Sequence, residues 1–326
     1  MSYAHARTID PGSIPVVDVG PLANGTRDQV RTVARAMREA AETVGFLYVA
    51  NHGVPGELVA DLERVARRFF ALPEADKAQV MPLDRHRGFL PIGQAKMYSG
   101  AKVDLKESFV WGLDVGDDDP DYRAGNRMHG PNRWPAALPE MRVLCNRYFE
   151  AANACGRRLL RGFAVSLELA DDHFDRSFSK PVTRCSAVFY PPQPPDGADD
   201  QFGVAPHTDY GTLTVLHQDP VGGLQIRDRA GDWIVAHPIP GTLVVNVGDL
   251  LARWTNDRFT STPHRVVNAS GRERLSVAAF VDPDYATPID PVPGPGTTPR
   301  YPSVTCGDYI LGRFDAAFAY RRPPAG

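Results

Sequence analysis

His207-Thr208-Asp209 opens and Arg274-Leu275-Ser276 closes the stretch whose reading decides the fold, and Pro263-His264-Arg265-Val266-Val267-Asn268-Ala269-Ser270-Gly271 lies just before its end. Within it, short apolar runs at 211–217, 222–227, 232–236 and 241–247 are separated by turn residues. Many short, regularly spaced strands argue for a closed or double-sheet β architecture. Side chains alternate along a strand, so a strand through 207–209 puts His207 and Asp209 on one face. Asn268-Ala-Ser-Gly271 is a turn signal, so 263–267 and 272–281 are expected to form a hairpin folded about residue 269. Such a hairpin sets His264 opposite Arg274, with Ser276 on the same face. Two imidazoles and one carboxylate around one ion leave three positions open, the usual protein donor set of mononuclear non-haem Fe(II) sites.

A bare His-X-Asp is weak, and the chain contains three: 173–175, 207–209 and 217–219. The first follows a long helical pattern in a polar connection, and the third runs into Pro220. Both are expected to be ordinary surface or loop residues. His52, beside Gly53, is expected to satisfy backbone groups rather than bind metal.

His207-X-Asp209, His264 and Arg274-X-Ser276 together resemble the signature of the Fe(II)/2-oxoglutarate-dependent oxygenases of the isopenicillin N synthase-like superfamily. The resemblance is specific over 183–281 and weaker over 14–112, where Asn51-His52-Gly53 follows a Gly-Phe segment. It implies a mainly β fold with flanking helices, a distorted double-stranded β-helix (jelly-roll) barrel. An α-rich N-terminal region and a long supporting helix accompany that barrel. It also implies Fe(II) on His207, Asp209 and His264, and 2-oxoglutarate held at its far carboxylate by Arg274, Ser276 and Tyr190. A buried dicarboxylate suits a planar, permanently charged bidentate donor, which arginine is and lysine is not. The charges of Fe(II), Asp209, the doubly anionic cosubstrate and Arg274 sum to zero, which a desolvated site tolerates best. Relatives often carry an asparagine near Tyr190 where this chain has Val188. Because Asp209 is present, the halogenase variant is disfavoured. The implied reaction uses O2 and 2-oxoglutarate, releases succinate and CO2, and hydroxylates, desaturates or cyclises a small organic molecule.

Organisation along the chain follows the same resemblance. Residues 1–112 form an N-terminal α/β region, 113–182 a loop and the long helix, 183–283 the iron-binding core, and 284–326 a Pro/Gly loop with a closing helix, all in one unit. Apolar spacing predicts helices over 27–44, 55–70, 73–80 and 138–169, with Gly45 capping the first and Gly156 and Gly162 dividing or bending the last. Strands are expected at 14–19, 45–54, 104–112 and 183–190, and irregular chain at 82–104 and 114–132. Met97, Tyr98, Phe109 and Phe280 are the candidates for substrate contact. A closing helix is expected over 307–320, and its position near the end of the chain makes it a candidate lid, by position only.

Composition bounds the rest. A net charge of −3 gives no bulk attraction for nucleic acid or an anionic membrane. No apolar run has membrane-span length, the N-terminus lacks a signal-peptide pattern, and the four cysteines show no CxxC pairing, so the expected location is cytoplasmic. Cys145 and Cys155, ten residues apart on one helix, stand roughly 15 Å apart and cannot bridge. Two other readings compete. One is an isopenicillin N synthase-like or aminocyclopropane-carboxylate oxidase-like enzyme that does not consume 2-oxoglutarate; the other is a non-catalytic metal-binding sensor barrel.

Overall fold

The computed structural model describes residues 14–82, 85–93, 102–193 and 201–317. In chain order it contains β1 (Val16–Asp18), α1 (Pro21–Asn24), α2 (Arg27–Thr43), β2 (Phe46–Ala50), α3 (Gly56–Phe70), α4 (Glu74–Ala78), β3 (Gly88–Leu90) and β4 (Glu107–Gly112). Then follow α5 (Pro120–Arg123), α6 (Glu140–Ser166), β5 (Arg184–Tyr190), β6 (Val204–His207), β7 (Leu213–Gln218) and β8 (Leu224–Arg227). β9 (Trp233–Val235), β10 (Leu243–Val247), α7 (Asp249–Trp254), β11 (His264–Val266), β12 (Arg274–Val281) and α8 (Cys306–Ala317) complete it.

Two sheets face each other, one of eight strands in the order β1-β2-β10-β7-β12-β5-β4-β3 and one of four in the order β6-β11-β8-β9. Period-two alternation sorts the side chains of the large sheet. Val277, Ala279 and Val281 of β12, Cys185 and Ala187 of β5, and Val245 of β10 pack outward with α2, α3 and α6 in the larger core. Tyr190, Val244, Phe46 and Tyr48 point inward and meet Val204, Leu224, Ile226 and Val266 of the small sheet in a second core. This is the helix-backed jelly roll that the resemblance implied.

Local chemistry explains the elements that hold the frame. Thr26 and Gln29 form a reciprocal capping box at the start of α2. Gly45 ends that helix at a φ of +73°, a conformation glycine adopts without strain, and its N–H bonds the carbonyl of Ala40 at 2.8 Å. The expected break in the long helix is absent, because α6 runs unbroken from 140 to 166. Its Gly156 serves packing instead: a Cβ there would come within 2.7 Å of Val281 on β12, so the missing side chain is what lets the helix lie close on the sheet.

Several sequence expectations need correction. The hairpin is not formed: β11 belongs to the small sheet and β12 to the large one, paired with β5 and β7. The turn signal at Asn268 is real, but it makes a corner between sheets. Asn268 is buried, and its amide bonds the carbonyls of Pro191 at 3.0 Å and Arg272 at 2.8 Å, tying the corner to the end of β5. The stretch expected to be irregular at 82–104 carries β3, and 114–132 carries α5 and the buried Met128, His129 and Asn132. Asp175 is not a surface residue; it is buried and clamps Arg157 at 2.5 Å and Arg161 at 2.6 Å along α6. Asp219, likewise buried, accepts from Leu275 N–H at 2.7 Å and Arg67 at 2.8 Å. The cysteines are all free and buried. No helix among the described residues is long and apolar enough to cross a membrane.

Candidate metal and cosubstrate site

His207, Asp209 and His264 come together from two strands and a turn. His207 is the last residue of β6, paired with His264 on β11. Asp209 lies past the strand end, so strand alternation is not what aims it. The turn does so, with the Asp209 backbone carbonyl accepting from Asp249 N–H at 2.7 Å at the start of α7. Asp209 Oδ1 lies 3.8 Å from His207 Nε2 and 3.7 Å from His264 Nε2, and the imidazole centroids are 4.3 Å apart. One potential ligand atom from each residue falls within 4.8 Å of the other two.

Neighbouring groups fix how these side chains present themselves. His207 Nδ1 sits 2.9 Å from the carbonyl of Ala205, and His264 Nδ1 3.1 Å from that of Thr262. A carbonyl can only accept, so each Nδ1 carries the proton and each Nε2 offers its lone pair toward Asp209. Asp209 Oδ2 takes hydrogen bonds from Thr214 at 2.5 Å and from Asn246 at 2.8 Å, leaving Oδ1 to face the imidazoles. Burial pushes the His207 pKa down to about 3, which keeps its lone pair available. Burial alone would raise the Asp209 carboxyl, but the two imidazoles and the bonds from Thr214 and Asn246 outweigh it and hold the pKa below the usual range. The donor set, tautomers and ionisation fit Fe(II). Thr214→Val should therefore weaken Fe(II) binding by about 10- to 100-fold without unfolding the protein. Anaerobic metal titration checks this, and unchanged affinity would show that the hydroxyl does not support the carboxylate.

Arg274, Ser276, Ala278 and Phe280 share the inward face of β12, opposite Tyr190, Val188, Ser186 and Arg184 of β5. Arg274 is fully buried; its Nε donates to the carbonyl of Gly222, Nη1 to Ser276 Oγ at 3.2 Å, and its guanidinium lies 4.6 Å from the Tyr190 ring centroid. Among the described residues no carboxylate pairs with it. A buried, uncompensated guanidinium flanked by a serine and a tyrosine fits an organic carboxylate. Of the substrate candidates, Phe280 is on this inward face and half-buried. Phe109 is not: it faces the helices, fully buried, with its ring 4.9 Å from that of Phe69. Met97 and Tyr98 lie outside the described residues. The residues that sequence reasoning missed are Thr214, Asn246 and Arg184. The strand registers that bring them inward depend on which sheet each strand joins, and only strand periodicity hinted at their faces.

Comparison with known proteins agrees with this geometry. The N-terminal model of the non-haem dioxygenases, described for morphine synthesis, matches residues 14–137, and the 2OG-Fe(II) oxygenase superfamily model matches 182–283. A 2-oxoglutarate-Fe(II) type oxidoreductase of Emericella nidulans, hxnY, is 34% identical over 322 residues, covering 94% of this chain and 91% of its own. A homoarginine-6-hydroxylase of Glycine max is 33% identical over 87% of this chain and 89% of its own. A Neurospora crassa enzyme solved with alpha-KG and thymine superposes with a TM-score of 0.83 at 28% identity, covering 97% of this chain and 99% of that one. The reading without 2-oxoglutarate is not favoured by these matches. The chain belongs to the 2-oxoglutarate- and Fe(II)-dependent oxygenase superfamily, and is a non-haem iron dioxygenase that uses 2-oxoglutarate.

Proposed function

We propose that His207, Asp209 and His264 hold the Fe(II), that Arg274, Ser276 and Tyr190 receive the far carboxylate of 2-oxoglutarate, and that a small organic molecule is oxidised beside the metal. Fe(II) with 2-oxoglutarate and O2 supplies the oxidising power there, with succinate and CO2 as co-products. The protein's own part is positional. The two Nδ1–carbonyl bonds hold the imidazoles in one tautomer, and Thr214 and Asn246 stop Asp209 from rotating. Arg274 and Ser276 fix the far end of the diacid, so that its other end can reach the metal. Wrapping the site between two sheets excludes water from the reacting centre.

The observation that carries this reading is the convergence of the three-residue cluster and the uncompensated Arg274 on one barrel interior. Thymine occupies the Neurospora structure, and the soybean relative is named for homoarginine, so relatives of this fold handle chemically different small molecules. A net charge of −3 offers no attraction to nucleic acid, which supports a small-molecule substrate here too. Anaerobic addition of Fe(II) and 2-oxoglutarate should give a visible charge-transfer band, and admission of O2 should release succinate. Oxygen uptake without succinate, or no band at all, would overturn the assignment.

A further inference from the structure

Arg184 is a second buried guanidinium on the inward face of the large sheet, and the metal and cosubstrate sites leave it unused. It is only 5% exposed, and the carboxylate that faces it, Asp282, stands at ion-pair rather than close hydrogen-bond distance. Its Nε is buried without a partner. The nearest carboxylate oxygen, Oδ2 of Asp282, stands 3.7 Å from Nη2 and also lacks a hydrogen-bond partner, while Asp282 Oδ1 is taken by Thr212 N–H at 2.7 Å. Asp282 thus balances the charge of Arg184 through a loose ion pair but leaves donors of the rigid fork, Nε among them, without a close acceptor among the described residues, which burial penalises.

Strand register places this group. Arg184 pairs with Phe280, and Phe280 with Thr214, whose hydroxyl holds Asp209. Two strand spacings of about 4.8 Å put the Arg184 backbone roughly 10 Å from that of Thr214. Arg274 lies six residues along β12 from Phe280, about 20 Å at the usual rise. The two arginines therefore serve opposite ends of the interior. Around Arg184 the lining is aromatic: Phe314 of α8 stacks on its guanidinium at 4.2 Å and Phe280 lies at 5.3 Å. Tyr210, next to Asp209 in sequence, meets Phe314 edge-on at 6.2 Å.

We propose that Arg184 anchors a carboxylate of the prime substrate, a compact acid whose apolar body lies along Phe280 and Phe314 with its reacting carbon turned toward His207, Asp209 and His264. This rests on the assignment of the metal and cosubstrate positions above. A planar carboxylate can fill the donors that Asp282 leaves unsatisfied with two parallel bonds, whereas a neutral amide offers one acceptor and brings donors that clash with the guanidinium. A cationic substrate would be repelled.

The test is calorimetric, on the full chain loaded anaerobically with Fe(II) and saturating 2-oxoglutarate, using a panel of small aromatic and alicyclic monocarboxylates and their primary amides. At least one acid should bind about tenfold or more tighter than its amide. In Arg184→Gln that ratio should fall to near one while the charge-transfer band persists. Asp282→Asn, which disturbs the same ion pair but keeps the guanidinium, should retain the preference. The proposal is overturned if no acid of the panel binds, if the preference survives in Arg184→Gln, or if both variants lose it equally, which would mark a structural pair. Absence of the band in the unmodified protein would instead count against the metal and cosubstrate assignment.

Discussion

Asp209→Ala is expected to lower Fe(II) affinity by at least about a hundredfold and to abolish succinate release, since even residues that only support a ligand cost about 10- to 100-fold when removed. The loss has two parts. The ion loses its one anionic donor, and the two imidazoles that remain offer it only Nε2 lone pairs, their Nδ1 atoms being bonded to carbonyls. Thr214 and Asn246 also lose a shared buried acceptor, at about 1–3 kcal/mol of stability for the unsatisfied donors. Asp209→Asn separates these parts. Its side-chain oxygen can still accept from Thr214 and Asn246 while its amide nitrogen faces the imidazoles, so melting should stay near that of the unmodified protein although metal binding is lost. Equilibrium dialysis with Fe(II) under argon and a melting curve make the comparison. Iron affinity within tenfold of the original in either variant would remove Asp209 from the ligand set.

The second large effect concerns Arg274. Arg274→Met should raise the apparent Kd for 2-oxoglutarate about 100-fold, or ~2.7 kcal/mol, within the range for truncating one partner of a buried charge pair. The metal-free, cosubstrate-free protein should melt no lower than the original. Its guanidinium is fully buried with no carboxylate partner among the described residues, so the apolar replacement relieves a charge penalty that offsets the lost bonds to Gly222 and Ser276. Arg274→Lys should recover little binding, because an ammonium is a point charge that cannot match a carboxylate with two parallel bonds. Titration of the charge-transfer band reads the affinity and calorimetry reads the melting. Strong destabilisation of the empty protein with unchanged 2-oxoglutarate affinity would make Arg274 a purely structural residue.

Spacing singled out His207, Asp209, His264, Arg274 and Ser276, the family resemblance added Tyr190, and the fold sets all six around one interior. The route to that placement was not legible. Asn268-Ala-Ser-Gly271 is a local turn signal, and local signals do not say whether two strands pair or part. Here they part, because Asn268 is fastened to the end of β5 and β12 finds longer partners in β5 and β7 than three-residue β11 could offer. The same gap explains Phe109. Period two shows that Phe109 and Ser108 face opposite ways but not which way is in, and the aromatic cluster of Phe69, Phe89 and Trp134 takes the ring on the helix side. Arg184 escaped notice because nothing near it in sequence marks it. Its meaning comes from Phe280 and Phe314, which lie about a hundred residues or more away along the chain.

Each imidazole is steered by a carbonyl only two residues behind it, at Ala205 and at Thr262, so short local bonds of the chain fix its tautomer and aim. Donors held this tightly have little means of choosing their guest by reshaping around it. Among divalent first-row ions such nitrogen and oxygen donors favour cobalt, nickel, copper and zinc over iron. The protein would therefore owe its iron to supply and speed of loading rather than to preference, and inert competitors would silence it while leaving its architecture intact.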